Sequence, residues 1–360
     1  MKKYFLNILI SMLVFSMPIF SQLRNDDVYK LPEMSKKDIR EYISIPGFDG
    51  YQALKCDFHI HTVFSDGLVW PDVRVDEAWQ QGLDAIAITD HIEYRPFKQL
   101  VGGDLNESFN IAKARGNHLG FIVIKGTEVT REKPIGHLNA LFIEDANKLQ
   151  DKDPVEVLRE AKKQGAFIMW NHPGWPDDKS TLYPIHEQLI KDKLIDGIEI
   201  FNYLEYYPIT IDYANRFNLT FMGNSDIHEL ITTNYGTEKM ARPITLVFAN
   251  ERSEKGIKEA LFAGRSAALF YGILAGKDEI LRKLFLASID FKTVDGGDYV
   301  EITNKSDILY NITLNGKEHT LFPQKTIRVI WPSDGKGSLK VKNCHTGKDS
   351  RLEFVLPAFF

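Results

Sequence analysis

Cysteine is scarce. The 360-residue chain has two, Cys56 and Cys344, far apart and with nothing in the sequence to pair them, so a disulfide framework is excluded and both read as free, buried thiols. Basic runs are missing as well. Lys and Arg number 44 against 49 Asp and Glu, a formal net charge of -5 with a pI near 6.1, so there is no basic patch to hold a nucleic-acid backbone. No nucleic-acid polymer is expected as a partner.

Met1-Lys2-Lys3, the apolar run 4–20 and the small Ser21 have the order of a secretory signal, with a basic start, an apolar middle and a polar stop. Residues 1–21 are therefore assigned to a signal peptide cleaved before Gln22. The alternative is a membrane anchor, which an apolar length of about 17 residues only just permits. No cysteine follows the run to carry a lipid. The expectation is an exported protein, periplasmic or secreted, that does not span a membrane once processed.

Residues 22–50 are polar, carry Pro32 and Pro46 and show no clean period, so they read as an arm leading to the first domain. Apolar, β-branched runs then recur at 55–59, 84–89, 120–125, 138–143, 166–170, 197–201, 219–222 and 244–248. Helix-like stretches at 73–81, 154–164, 184–191, 210–216 and 254–263 separate them. Such alternation implies parallel β/α units, and seven or eight of them between residues 51 and 285 point to a β/α barrel with its chemistry at the strand C-termini. After residue 285 the texture changes to short strands at 286–291, 299–303, 308–314, 326–331, 337–343 and 352–356, cut by turn sequences, which reads as a small antiparallel β-sandwich over 286–360.

The residues that follow the barrel strands are of one kind. His59, His61 and Asp66 follow the first strand, Asp90-His91 the second and Glu128 the third. His137 stands at the fourth, Asn171-His172 after the fifth, and Asp226 with His228 after the seventh. In His59-x-His61 both side chains leave one face of a strand, the geometry of a chelate. Imidazole nitrogens and carboxylate oxygens suit Zn, Fe or Mn. Nine ligands, His59, His61, Asp66, His91, Glu128, His137, His172, Asp226 and His228, exceed the needs of one ion, so two or three divalent ions are expected. Two neighbouring ions suit hydrolysis of phosphate esters.

These motifs carry a resemblance. Phe58-His-Ile-His-Thr-x-x-Ser-Asp-Gly67, Ile-Thr-Asp-His at 88–91, Gly-Thr-Glu at 126–128, Asn-His-Pro at 171–173 and Ser-Asp-x-His at 225–228 resemble, in order and spacing, the PHP (polymerase and histidinol phosphatase) superfamily. The resemblance spans about 52–285. It implies a distorted, TIM-like, seven-stranded β/α barrel whose trinuclear metal site hydrolyses phosphoesters. It also implies that His59, His61, Glu128 and Asp226 hold one ion, and that Glu128 bridges to a second held by His137 and His172. Asp66, His91 and His228 would hold the third, with Asp66 where many members have His. Glu128, Asp226 and His228 would carry the catalysis, and Asp90 would orient a ligand histidine.

Two alternatives stay open. An amidohydrolase-type barrel also begins with His-x-His and bridges its metals with a modified lysine, for which Lys125 is placed. A secreted, non-catalytic metal-containing binding protein would use rim aromatics such as Trp175 and Tyr203. Arg95, Arg131 and Arg242 flank rim loops and are the candidate phosphate clamps for a small-molecule phosphoester. All candidate ligands precede residue 230, so the C-terminal strands are expected to be dispensable for the chemistry.

Overall fold

The computed structural model describes residues 39–294, 299–330 and 337–356. The signal segment and the first part of the arm lie outside these residues. From the end of the arm, strands and helices alternate. The first half runs β1 (Gln52–Asp57), α1 (Pro71–Gln80), β2 (Ala85–Ile88), α2 (Lys98–Val101), α3 (Glu107–Leu119), β3 (Ile122–Val129) and β4 (Leu138–Leu141). It continues through α4 (Pro154–Lys163), β5 (Phe167–Trp170), α5 (Pro184–Lys191), β6 (Gly197–Asn202), β7 (Glu205–Tyr206), α6 (Pro208–Phe217) and β8 (Thr220–Asn224). Then come α7 (Ile231–Tyr235), β9 (Ile244–Ala249), α8 (Glu254–Phe262), β10 (Ser266–Phe270), β11 (Ile273–Gly276) and α9 (Asp278–Ser288). The C-terminal strands are β12 (Ile289–Val294), β13 (Tyr299–Asn304), β14 (Tyr310–Leu314), β15 (Lys317–Leu321), β16 (Thr326–Ile330), β17 (Gly337–His345) and β18 (Arg351–Leu356).

Proline marks the helix starts. Pro71, Pro154, Pro184 and Pro208 each sit in the first helical turn, where a missing N–H leaves nothing unsatisfied. Helices α1 and α6 therefore begin two residues before the positions 73 and 210 expected from their apolar period. Asp153 and Ser253 cap α4 and α8, accepting hydrogen bonds from Val155 N at 2.8 Å and Gly256 N at 2.9 Å. Helix α3 was not expected, because Asn110, Gly116 and Asn117 interrupt its helical preference. Gly116 is required by packing: a Cβ there would stand 2.6 Å from Val123 Cγ2 on β3.

Strands β1, β2 and β3 pair in parallel, as do β5, β6 and β8. β4 runs antiparallel to both β3 and β5, and β9 antiparallel to β1. The sheet is thus mixed and not the all-parallel arrangement expected from the alternation. Its ladders form an open path, β15-β14-β17-β11-β10-β9-β1-β2-β3-β4-β5-β6-β7, with β8 beside β6 and β18 beside β17, and they do not close into a barrel. Where β8 ends near β1 there is a single bridge, Ile60 to Ile227. Every residue of β2, β5 and β6 is buried, which explains their near-continuous apolar sequences.

The C-terminal strands do not stand apart as a separate sandwich. β17 joins β11 in parallel and so extends the large sheet, while β12, β13 and β16 form a second, three-stranded antiparallel sheet. One apolar cluster takes in Val300, Ile302 and Val329 of the small sheet, Tyr310, Leu339 and Val341 of the large one, Leu284 and Phe285 of α9, and Leu246 and Phe248 of β9. Residues 286–288, expected as strand, complete α9. The end of the arm is core as well. Ile43 and Ile45 are buried in the same cluster, and Ser44 N donates to Asp307 Oδ2 at 2.6 Å. Among the described residues, no helix is long and apolar enough to cross a membrane.

Candidate metal centre

The ends of β1 and β8 are tied together by side chains and a few backbone bonds rather than by a continuous ladder. Phe58 N donates to Asn224 Oδ1 at 2.9 Å, Ser225 N and Oγ donate to the two oxygens of Asp57, and Asp226 N donates to His59 O at 2.8 Å. Arg74, from α1 and 1 % exposed, adds a second tie. Its guanidinium donates to the carbonyls of His61, Ile227, His228 and Glu229 at 2.6 to 3.2 Å. The turn after His61 folds tightly over it, and a Cβ on Gly67 would lie 2.6 Å from His61 C. His172 (φ 24°) and Asp226 (φ 50°) occupy left-handed backbone, a strain of about 1–3 kcal/mol each that the surrounding bonds hold in place.

These ties bring all nine sequence-chosen ligands together, with Glu128 at the centre. Its Oε2 lies 3.2 Å from His59 Nε2, 3.1 Å from His61 Nε2 and 3.1 Å from His91 Nδ1, while Oε1 lies 2.9 Å from His137 Nδ1 and 3.4 Å from His172 Nε2. Asp226 Oδ1 is 3.2 Å from His59 Nε2 and 3.0 Å from His61 Nε2. Asp66 Oδ1 faces His228 Nε2 at 3.2 Å and His91 Nε2 at 3.5 Å. Four subsets converge closely enough to share an ion, with donor atoms within 4.8 Å of one another: His61/Asp66/His91/His228, His59/His61/Glu128, His59/His172/Asp226 and His91/Glu128/His137.

The donor set fits divalent cations on a structural ground. His61 Nε2, Asp66 Oδ1 and Asp226 Oδ1 are buried and make no hydrogen bond of proper geometry, although each is close to groups of the cluster. Buried polar atoms are rarely left in that state unless a ligand completes them. The electrostatics agree. Burial opposes protonation of His61, yet its contacts with Asp226 and Glu128 outweigh that and push it up to about 10. Burial opposes ionisation of Glu128 and Asp226 too, but the surrounding histidines hold both carboxyls well below the usual range. Positive charge is what this cluster of carboxylates demands.

The other chosen residues sit elsewhere than expected. Asp90 does not touch a histidine ring; it accepts from Thr62 N, Thr62 Oγ1 and Ser65 Oγ at 2.7 to 2.8 Å and so fixes the turn between His61 and Asp66. Arg242 is buried and paired with Asp57. Arg95 donates to the carbonyls of Phe64, Gly102 and Gly103, and Arg131 to Glu93 and the carbonyls of Thr130 and Asp151. None of the three arginines lines the cavity over the cluster. Lys125 donates to Glu144 O at 2.8 Å and lies over the Phe109 ring, away from the ligands.

Sequence reasoning missed Glu199. It is fully buried in β6; Oε1 accepts from His59 Nδ1 at 3.0 Å and Asn224 Nδ2 at 2.9 Å, and Oε2 from His172 N at 2.6 Å and Asn202 Nδ2 at 2.9 Å. The available signal was one carboxylate inside the otherwise apolar run Gly197-Ile-Glu-Ile-Phe201. Asn171 was noted only as His172's neighbour; its Nδ2 donates to Glu128 Oε1 at 2.8 Å.

Above the cluster opens a cavity of about 600 Å³. Asp66, His91, Glu128, His137, His172, Asp226 and His228 form part of its lining, and His59 and His61 lie beneath, fully buried. Trp175, Tyr94, Tyr203 and Tyr207 form much of the remaining wall.

Comparison with known proteins agrees with this centre. The PHP domain model matches residues 57–303. The crystal structure of a two-domain protein from Bacteroides vulgatus, containing a predicted PHP-like metal-dependent phosphoesterase, is 40% identical and superposes with a TM-score of 0.84 over 89% of this chain and 100% of that one. An uncharacterised protein of Methanocaldococcus jannaschii is 40% identical over 137 residues, 38% of this chain, and the match spans half of that relative's length. Endonuclease Q bound to a 27-mer duplex with an abasic lesion at its active site is more distant, at 13% identity and a TM-score of 0.42 over 63% of this chain and 60% of that one. With the family model matching from the first ligand strand into the C-terminal strands, the chain belongs to the PHP family.

Proposed function

We propose that the protein is a metal-dependent hydrolase of a small phosphate ester, mono- or diester, working with two or three divalent ions of Zn, Fe or Mn. The observation that supports it is Glu128. One carboxylate oxygen faces His59, His61 and His91, the other faces His137 and His172, and seven of the nine residues line an open cavity. A purely structural metal site would be closed by three or four ligands. Divalent ions, when bound, supply a water acidified to a pKa of about 7 and neutralise charge on the phosphoryl oxygens.

The chain's own residues supply the rest. Glu128 and Asp226 bring negative charge to the floor, so that an anionic ester is held only once cations are present. His228, partly exposed beside Asp66, lines the cavity and is open to a bound ester. Glu199, Asn171 and Arg74 hold the ligand-bearing segments. The amidohydrolase alternative loses its bridging group, because Lys125 is turned to Glu144 O. The proposed setting is export directed by residues 1–21, with an external phosphoester as substrate.

Elemental analysis of the purified protein, with a panel of phosphate mono- and diesters and an abasic duplex, tests the reading. Metal-dependent release of phosphate or alcohol from small esters is expected. A protein with its full metal content that hydrolyses none of them would be a binding protein instead.

A further inference from the structure

The cavity wall beyond the ligands lacks one thing that a polyanion needs. Among the described residues, no Lys or Arg lines it. Arg95 and Arg131 are tied to backbone carbonyls and to Glu93, Arg74 to the carbonyls of both ligand loops, and Arg242 is buried against Asp57. Two carboxylates that belong to no ligand subset, Glu205 and Glu229, do line the wall, and neither forms an ion pair among the described residues. Glu205 accepts from the Tyr207 hydroxyl, and Glu229 from Asn234 Nδ2 at 3.3 Å.

Apart from Thr130 and Asn202, the remaining wall is aromatic. The Trp175 ring stands 4.6 Å from that of His137 and 5.7 Å from that of His172, and the Tyr94 ring 6.1 Å from that of His91. Trp175 is 52% exposed and Tyr94 56%, so large faces remain open beside the floor where the phosphoryl group would sit. At about 600 Å³ the cavity holds a drug-sized ligand, far more than a phosphoryl group alone.

We infer that the site selects esters whose alcohol portion is flat and either uncharged or cationic, and rejects substrates with a second phosphate or another anionic group. The inference rests on the phosphoesterase reading for the identity of the reacting group. The floor has cation ligands for one phosphoryl group. A second anionic group would face Glu205 and Glu229 with no counter-charge, whereas an ammonium would be drawn both to those carboxylates and to the ring faces of Trp175 and Tyr94.

Titration calorimetry on the Mn- or Zn-loaded protein with non-hydrolysable arylphosphonates separates these cases. The probes are phenylphosphonate and its 4-aminomethyl, 4-carboxy and 4-phosphono derivatives. The aminomethyl compound is expected to bind on the order of tenfold more tightly than the carboxy compound, with the bisphosphonate weakest. Glu229→Gln and Glu205→Gln should each shrink that ratio by about two- to fivefold. Trp175→Ala should weaken all the probes by about fivefold or more, with metal content measured alongside. Equal binding of the anionic and neutral probes, a ratio unchanged in both Gln variants, or binding of none of them overturns the inference. The matching phosphate esters are assayed in parallel. Charge-sorted binding without hydrolysis would remove the phosphoesterase reading alone, and hydrolysis without sorting would remove the selectivity alone.

Discussion

Glu199 Oε1 lies 3.0 Å from Nδ1 of His59, on the side of the imidazole turned away from Glu128 and Asp226. With a cation in the cluster, Nε2 would be the ligand nitrogen and Nδ1–H would be left to donate to Glu199. The contact orients the ring of a fully buried candidate ligand, the arrangement expected behind a metal-binding histidine. The other oxygen of Glu199 accepts from His172 N. A single carboxylate thus sets two of the nine ligands.

Replacing it by an amide should therefore loosen the site without destroying it. In Glu199→Gln the amide nitrogen meets either His59 Nδ1–H or the donors at Oε2, and one bond of the set is lost. Metal affinity is expected to fall about 10- to 100-fold by competition with a fluorescent chelator. An unchanged affinity would mean that His59 is oriented by its backbone alone.

Glu128→Gln should be more severe. The carboxylate touches five histidines, and its loss removes negative charge from a site proposed to hold two or three cations. Elemental analysis is expected to show fewer metals per chain, and esterase activity to fall to background, while circular dichroism stays that of the wild type. Full metal content with wild-type turnover would rule out a shared role for Glu128.

Protons and cations compete for this cluster. With His61 pushed up to about 10, the metal-free protein carries a proton there at neutral pH, and an incoming cation has to displace it. Metal uptake should release protons, and apparent affinity should drop as pH falls, since acidification adds protons to the same ligands. Calorimetry in buffers of different ionisation enthalpy measures the release. Zero release at pH 7 would contradict the protonated cluster.

Much of the site was legible because its residues are chemically conspicuous at strand ends. His59-x-His61 and Asp226-x-His228 declare themselves by type and spacing alone. What was hidden acts through backbone atoms or over long separations. Arg74 looks like one more charge on an amphipathic helix, yet it gathers carbonyls from both ligand loops. Arg242 looked like a phosphate clamp at the rim because the sequence does not show that Asp57 is buried beside it. The fold was legible as α/β, but strand direction was not: β4 and β9 have the same apolar texture as their parallel neighbours. β10 and β11, rich in Ala and Gly, gave too little β preference to be seen, and they are the strands that carry the large sheet on to β17.

Arg74 yields a stability prediction. Its guanidinium is buried, paired with Glu77 at 2.9 Å and donates to four carbonyls. Arg74→Met takes the donor from the carbonyls of His61 and Glu229 and from Glu77 Oε2, while Ile227 O keeps His61 N, His228 O keeps Leu68 N and Glu77 Oε1 keeps Ile231 N. A loss of about 3–5 kcal/mol is expected by chemical denaturation, with metal content falling as the 61 and 227–229 segments part. A variant as stable as the wild type would mean that water replaces the guanidinium.

The last prediction concerns the C-terminal strands, which the order of the ligands alone would make dispensable. The Tyr206 hydroxyl is hydrogen-bonded to His345 Nδ1 of β17 at 2.6 Å, Asn215 Nδ2 donates to Thr346 O at 2.8 Å, and Lys348 N to Asp212 Oδ1 at 3.0 Å. Tyr206 belongs to the segment that brings Tyr203, Glu205 and Tyr207 to the cavity wall. Burial, and after it Arg351, hold His345 down to about 4, so its imidazole is neutral at pH 7. Tyr206→Phe keeps the ring against Phe201 and removes this bond alone, a change of about 0.5–1.5 kcal/mol. KM for the ester is therefore expected to rise roughly two- to tenfold, the same energy expressed as a ratio, with kcat and metal content near those of the wild type. Deletion from residue 286 onward should be harsher, because it uncovers Leu274, Leu284 and Phe285 and should give aggregated protein by size-exclusion chromatography. A soluble truncate with wild-type KM, together with a Tyr206→Phe protein indistinguishable from the parent, would show that the cavity wall stands without support from β17.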